Sequence, residues 1–265
     1  KTGYHVTFFH DFLNEMKSWF PTVDIQPISP STSLIPSLRD FDHVIFLDHH
    51  KADEMASSLT HSFVLPKDSI DPKISMLENI VNLGKNIFDI EMTKENGMTI
   101  PPGLILKKYN KRILIHPTST DAVKNWPAKN FLSLAKKLKQ DNLEPIFILS
   151  PKEQLAWKEM INDTFEMPLF ETIDALARFV VESHFMIGND SGIGHLASNL
   201  GLPTITIFSS KKRAMLWHPD WGKNQSITPC IKIPGKLFKN RWKWLISIYQ
   251  VYHELLKLEN DSTLT

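Results

Sequence analysis

Apolar and polar positions follow two rhythms along this chain. Short β-rich apolar runs fall at residues 4–9, 24–28, 43–48 and 62–65, then at 112–116, 145–150, 185–188 and 204–208. Between them the spacing is helical: Phe131, Leu134, Ala135 and Leu138 follow i, i+3, i+4, i+7 behind Pro127, and residues 155–161, 173–181 and 192–200 behave alike. Strands that alternate with helices predict an α/β fold with parallel sheets. Residues 241–258 place Leu245, Ile248, Tyr249, Tyr252, Leu255 and Leu256 on one face, which predicts a single long packed helix. The rhythm lapses at 94–106, where Gly97, Gly103 and the Pro101–Pro102 pair intervene. We therefore expect one domain over 1–98, a second over 104–240, and a terminal helix and tail over 241–265 packing back on them.

The 265 residues, 42% of them hydrophobic, suffice for a packed core, and no apolar run approaches the ~18 residues of a membrane span. Cys230 is alone, so neither an internal disulfide nor a thiolate metal cluster is expected, and a cytoplasmic location follows as the expectation. The chain opens at Lys1 with no charged-then-apolar leader. Charge changes the picture more than composition does. The net is +1, yet residues 209–244 hold seven Lys and two Arg against Asp220 alone, together with four of the seven Trp. An overall balance this close to neutral argues against nucleic acid as the partner. The basic segment reads either as a solvated face or as a contact for an anionic acceptor or an anionic bilayer surface.

Four of the ten glycines, Gly188, Gly192, Gly194 and Gly201, crowd into fourteen residues. The stretch 185–208 reads as strand, tight turn, helix, turn, strand. Its turn delivers Asn189, Asp190, Ser191 and Gly192 to a helix start whose free N–H groups and dipole suit a phosphate. The same glycines would also serve merely to shape the turn, with Asp190 or Ser191 as cap. A second loop, 116–131, leaves another strand end and carries Thr118, Ser119 and Thr120 as hydroxyl donors and Lys124 as a cation. In an open α/β sheet both loops share the edge where ligands bind.

The order H-P-x-S…K-x-W-P followed by G-N-D-S-G-x-x-H-L-A-x-x-L-G-x-P-T resembles the ADP-heptose:lipopolysaccharide heptosyltransferases, glycosyltransferase family 9. The residues that carry it are His116, Pro117, Ser119, Lys124, Trp126 and Pro127, then Gly188, Asp190, Ser191, Gly192, His195, Leu196, Ala197, Leu200, Gly201, Pro203 and Phe208. The resemblance covers about residues 111–210. It implies a GT-B architecture of two Rossmann-like domains facing a cleft, an ADP-sugar donor, a lipopolysaccharide core or other anionic glycolipid acceptor, inversion at the anomeric carbon, and chemistry without metal or other cofactor. It also implies that Asp190, Ser191 and Gly192 hold the sugar diphosphate with Lys124, that Phe170, Glu171 and Thr172 lie beside the adenine, that Glu153 is near the ribose, and that His195 supports the phosphate helix. Lys124 and Asp190 would then act in the chemistry.

Two departures stand out. The family's first strand and its loop with the aspartate thought to be the general base do not appear at the start of this chain, whose opening run looks like a second strand. Of the carboxylates present, Asp11 is the candidate left for that role. After Phe208 the family's Gly-Pro-Thr gives way to Ser209, Ser210, Lys211 and Lys212. A binding protein that no longer turns over, or a GT-B-like sugar-nucleotide epimerase, are the alternatives. Asp40 and Asp42 match a D-x-D metal motif but precede their strand, so a solvated turn is expected there. Asp48, His49 and His50 are too close in sequence to converge on one metal.

Overall fold

The computed structural model describes residues 5–28, 38–46, 56–64, 69–88, 93–231 and 241–263. The chain divides into two compact units, Lys1–Thr93 and Lys94–Thr265. In the first, β1 (Thr7–Phe9) leads through helix α1 (Asp11–Glu15) into β2 (Asp24–Gln26), and the two strands pair in parallel. Strand β3 (Val44–Phe46) pairs in parallel with β4 (Ser62–Val64), and helix α2 (Met76–Phe88) follows. Leu38, Val44 and Leu59 form a small core there, with Phe9, Phe41 and Phe46 packed against it. Asp40 and Asp42 are exposed in the turn before β3. Asp48, His49 and His50 lie outside the described residues.

The second unit is built on a five-stranded, wholly parallel sheet in the order β6-β5-β7-β8-β9. Its strands are β5 (Arg112–His116), β6 (Glu144–Phe147), β7 (Phe185–Asn189), β8 (Thr204–Ile207) and β9 (Asn224–Ile227). Its helices are α3 (Ala128–Gln140), α4 (Pro151–Ile161), α5 (Ile173–Val181), α6 (Gly192–Asn199), α7 (Lys211–Trp217) and α8 (Ile248–Thr263). Helices cover the sheet, so β7 and β8 are buried along their whole length, as continuous apolar runs should be. One core joins Ile113, Ile115, Phe147, Ile187 and Ile205 of the sheet to Trp126, Phe131, Leu134 and Leu138 around α3 and to Val251 and Leu255 of α8. The strand order turns back between β5 and β7, because β6 lies on one side of β5 and all later strands lie on the other. That reversal creates the crevice in which open α/β sheets hold ligands.

The structure differs from the sequence reading in three places. Strand β9 is absent from that reading because Asn-Gln-Ser-Ile at a sheet edge has no apolar run. The strand in the run at 145–150 ends at Phe147, with the Ile148 N–H still donating to the Ile115 carbonyl at 2.9 Å before Ser150 caps α4. The terminal segment is not one helix. A 3₁₀ turn, Arg241–Trp244, ends first, and α8 starts afresh behind Ser247, whose hydroxyl accepts from the Gln250 N–H at 3.1 Å. This restart buries Val251 and Leu255 and leaves Tyr249 75% exposed, so Tyr249 does not belong to the packed face.

Candidate functional site

The site is assembled where β5 and β7 end side by side. Their register sets His116 opposite Gly188 so closely that a Cβ on Gly188 would sit 2.7 Å from the His116 carbonyl oxygen. The following residue, Asn189, is 1% exposed and ties the two loops together. Its side-chain oxygen accepts from the Trp126 N–H at 2.9 Å, and its amide donates to the Pro117 carbonyl at 2.6 Å. Trp126 in turn donates its indole N–H to the Ile246 carbonyl at 3.0 Å, and Lys243 Nζ donates to the Ala122 carbonyl at 3.1 Å. The lysine loop is thus anchored from β7 on one side and from residues 243–246 on the other.

Within that loop Asp121 accepts from the Val123 N–H at 3.0 Å and closes a 3₁₀ turn, Ala122–Lys124. The turn aims Lys124 at β7, and its Nζ lies 4.0 Å from Asp190 Oδ2. Asp190 is 8% exposed and also receives Nε of Arg213, at 3.0 Å, and one of its Nη groups. Next in the chain, Ser191 is the N-cap of α6 in extended backbone but makes no side-chain cap bond, and its buried hydroxyl is without a hydrogen-bond partner among the described residues. Gly192 opens the helix, and a Cβ there would meet nothing within 4 Å. Neither its φ nor its packing requires glycine. Open space, a free hydroxyl, helix N–H groups and a lysine therefore converge at one strand end. That combination suits an oxyanion.

The other residues singled out in the sequence divide. Thr118 is buried near Glu153, and its hydroxyl is without a hydrogen-bond partner among the described residues. Glu153 is the third residue of α4 and forms a capping box, with Oε2 accepting from the Ser150 N–H at 2.8 Å and the Ser150 hydroxyl at 2.7 Å. Burial pushes its pKa up, but the Ser150 hydrogen bonds, the nearby Thr118 hydroxyl and His116 outweigh this and hold the carboxyl below its ordinary value. Ser119 bonds inside its own loop, to the Asp121 carbonyl at 2.9 Å and to Asn125 at 2.7 Å, so its one proton is committed locally. Phe170 packs on Phe179, Thr172 caps α5 through the Ala175 N–H at 3.1 Å, and Glu171 is exposed. Gln154 donates to the Leu149 and Pro168 carbonyls, which holds the approach to this segment beside the end of β6. His195 is half-buried on α6, where burial lowers its pKa while Asp190 raises it and His218 lowers it further. Asp11 belongs to the first unit, at the carboxyl end of β1, and accepts from the Ile28 N–H at 2.8 Å.

Two residues were missed from sequence. Asn189 stands inside the glycine motif, but no pattern reveals that its amide joins two loops. Arg213 had a signal: Lys211, Lys212 and Arg213 open α7 with cations where the helix dipole favours anions.

His116 makes the site sensitive to acid. It is buried, with Nδ1–H donating to the Ile148 carbonyl at 2.8 Å, and burial depresses its pKa despite the raising effects of that bond and of Glu153. His184 and His195 are also depressed, chiefly by burial. Below about pH 6.5 the unfolded chain therefore binds more protons than the folded one, and stability falls as the pH drops. Urea unfolding at pH 7.5 and 5.5 should show this loss, at up to ~1.4 kcal/mol per pH unit for each histidine. His116→Gln should reduce the slope; an unchanged slope would show that His116 does not contribute.

Comparison with known proteins gives the family and the fold. The family model for glycosyltransferase family 9 (heptosyltransferase) matches residues 49–236, and the chain belongs to that family. A lipopolysaccharide heptosyltransferase 1 from Campylobacter coli is 30% identical over 159 residues, 56% of this chain and 44% of that protein, so the chain spans less than half of that relative's length. A family 9 glycosyl transferase from Veillonella parvula superposes with a TM-score of 0.75 at 16% identity, covering 96% of this chain and 89% of that one. The E. coli ADP-heptose lipopolysaccharide heptosyltransferase II gives 0.70 at 16% identity over 95% and 88%. E. coli heptosyltransferase WaaC, solved with ADP, gives 0.68 at 13% identity over 95% and 88%. The fold class read from the sequence, α/β with parallel sheets of the GT-B kind, is the fold these structures share. Among the described residues no helix is long and apolar enough to cross a membrane.

Proposed function

We propose that this protein transfers a heptose or related sugar from an ADP-sugar to a lipopolysaccharide core acceptor, inverting the anomeric configuration without a metal. The observation that carries the reading is the start of α6, where the unbonded Ser191 hydroxyl and the open space over Gly192 adjoin Lys124 and the loop anchored by Asn189. An acceptor oxygen attacks the anomeric carbon from the face opposite the diphosphate. A new C–O bond forms as the bond to ADP breaks, and ADP departs with the electron pair. Preorganised donors stabilise the charge that develops on it. The α6 N–H groups, Ser191 and Lys124 supply those donors, which is why no divalent cation is required. Glu153 Oε1 and the segment Phe170–Glu171–Thr172, both toward β6, serve the nucleoside. The acceptor's proton passes to a carboxylate for which Asp11 is the candidate. An anionic acceptor is supported by the surface around Trp244, which is 69% exposed, carries Lys129 Nζ 4.6 Å from its ring centre and adjoins Arg241 and Lys243. The same surface supports peripheral contact with the cytoplasmic face of the inner membrane.

Calorimetry with ADP, UDP and GDP tests the donor. ADP should bind best, Lys124→Ala should weaken it ~10-fold or more, the scale of one lost charge-assisted hydrogen bond, and EDTA should change nothing. Equal indifference to all three nucleotides, or strict dependence on Mn or Mg, would overturn the reading.

A further inference from the structure

We propose that Arg213 is a second cation of the diphosphate site, and that Asp190 holds Lys124 and Arg213 for the ligand rather than touching phosphate itself. The inference rests on the donor-site reading above. A buried carboxylate is a poor neighbour for a diphosphate, since the two repel. Asp190 is nevertheless placed immediately before Ser191 and Gly192, with Lys124 Nζ 4.0 Å from Oδ2 and Arg213 bonded to the same oxygen through Nε and Nη. One negative charge thus gathers two positive ones, and the cluster keeps a net +1 beside the α6 N–H groups.

The geometry of Arg213 fits a ligand contact. Its guanidinium has five N–H donors in a rigid fork, of which the Asp190 contact engages two. The side chain remains 34% exposed, while the carboxylate it holds is 9% exposed. Its backbone is equally fixed, because the Ser210 hydroxyl accepts from the Arg213 N–H at 3.3 Å. Strand β8 lies directly beside β7, so the three groups come from three adjacent strand ends: Lys124 after β5, Asp190 after β7, Arg213 after β8. Lys124 is held at salt-bridge distance only, without a hydrogen bond to Asp190, and can turn toward an arriving phosphate while Arg213 stays in place. Lys211 and Lys212 directly precede Arg213 in the first turn of α7, so this strand end carries further positive charge.

The test is binding of ADP and of adenosine to the wild type, Arg213→Gln and Arg213→Lys at two salt concentrations. Arg213→Gln should weaken ADP ~10- to 100-fold, the range of a charge-assisted hydrogen bond, leave adenosine unchanged and flatten the salt dependence. Arg213→Lys should recover the salt dependence and most of the ADP affinity. ADP binding to Arg213→Gln within twofold of wild type, or equal losses for ADP and adenosine, would show that Arg213 only neutralises Asp190 and overturn the proposal alone. A wild type that binds no ADP would instead overturn the donor-site reading, and this proposal with it.

Discussion

Gly192→Val is expected to lower ADP affinity at least ~100-fold while changing unfolding free energy by no more than ~0.5 kcal/mol. The glycines on either side of the β7–α6 turn, Gly188 and Gly192, make this separable. Gly188 is required by the fold, because a Cβ there would lie only 2.7 Å from the His116 carbonyl oxygen. Gly188→Ala forces backbone apart and should cost ~1–3 kcal/mol, the usual penalty of overpacking. Gly192 has the opposite surroundings, with nothing within 4 Å of a built Cβ and no left-handed φ. Valine is no worse a helix former than glycine, so the protein should fold as well with it. A branched side chain at the helix start would, however, fill the space in which a phosphate reaches the α6 N–H groups. Calorimetry with ADP and urea unfolding on both variants check the contrast. Retained ADP binding in Gly192→Val would remove α6 from the donor site.

How much of this was legible in the sequence depends on whether a feature is local. Strand β5 was read at its observed bounds, Arg112–His116, because it is buried on both faces and its apolar run is unbroken. Helix α3 was legible from Phe131, Leu134, Ala135 and Leu138, all of which are fully buried. Even the capping box of α4 was written as Ser150-Pro151-Lys152-Glu153, although Glu153 was read toward a ribose rather than as a cap. Strand β9 could not be read, since its pairing with β8 comes from the sheet and not from Asn224–Ile227 itself. The site behaves likewise. The glycine motif and Lys124 suit a phosphate by chemistry that neighbours in sequence can supply. Arg213 is 23 residues from Asp190, and Trp126 is 63 residues from Asn189. Those partners meet only through the order in which strands assemble, which one-dimensional spacing does not encode. Ser119 shows the converse, a hydroxyl read from sequence as a ligand donor that also bonds within its own loop.

Asn189→Ala is expected to be the most destabilising single change at the site, by ~2–5 kcal/mol. It removes both partners of a buried bridge at once, leaving the Trp126 N–H and the Pro117 carbonyl unpaired in a region where Asn189 itself is 1% exposed. Each buried polar group left unsatisfied costs ~1–3 kcal/mol. The lysine loop would also lose its tie to β7, so ADP affinity should fall with stability. Asn189→Asp gives a sharper test, because it keeps an acceptor for the Trp126 N–H but sets a second oxygen against the Pro117 carbonyl. A protonated carboxyl can still donate there, whereas an ionised one repels. The folded state therefore binds its proton more tightly than the unfolded chain does, and stability is lost as the pH rises above the unfolded value of ~3.9. Measured against wild type at the same pH, the deficit of Asn189→Asp in urea unfolding should be smaller at pH 5 than at pH 8. A deficit of the same size at both would mean that the Pro117 contact carries no weight, and an Asn189→Ala variant within ~1 kcal/mol of wild type would show that the two loops hold their places without this side chain.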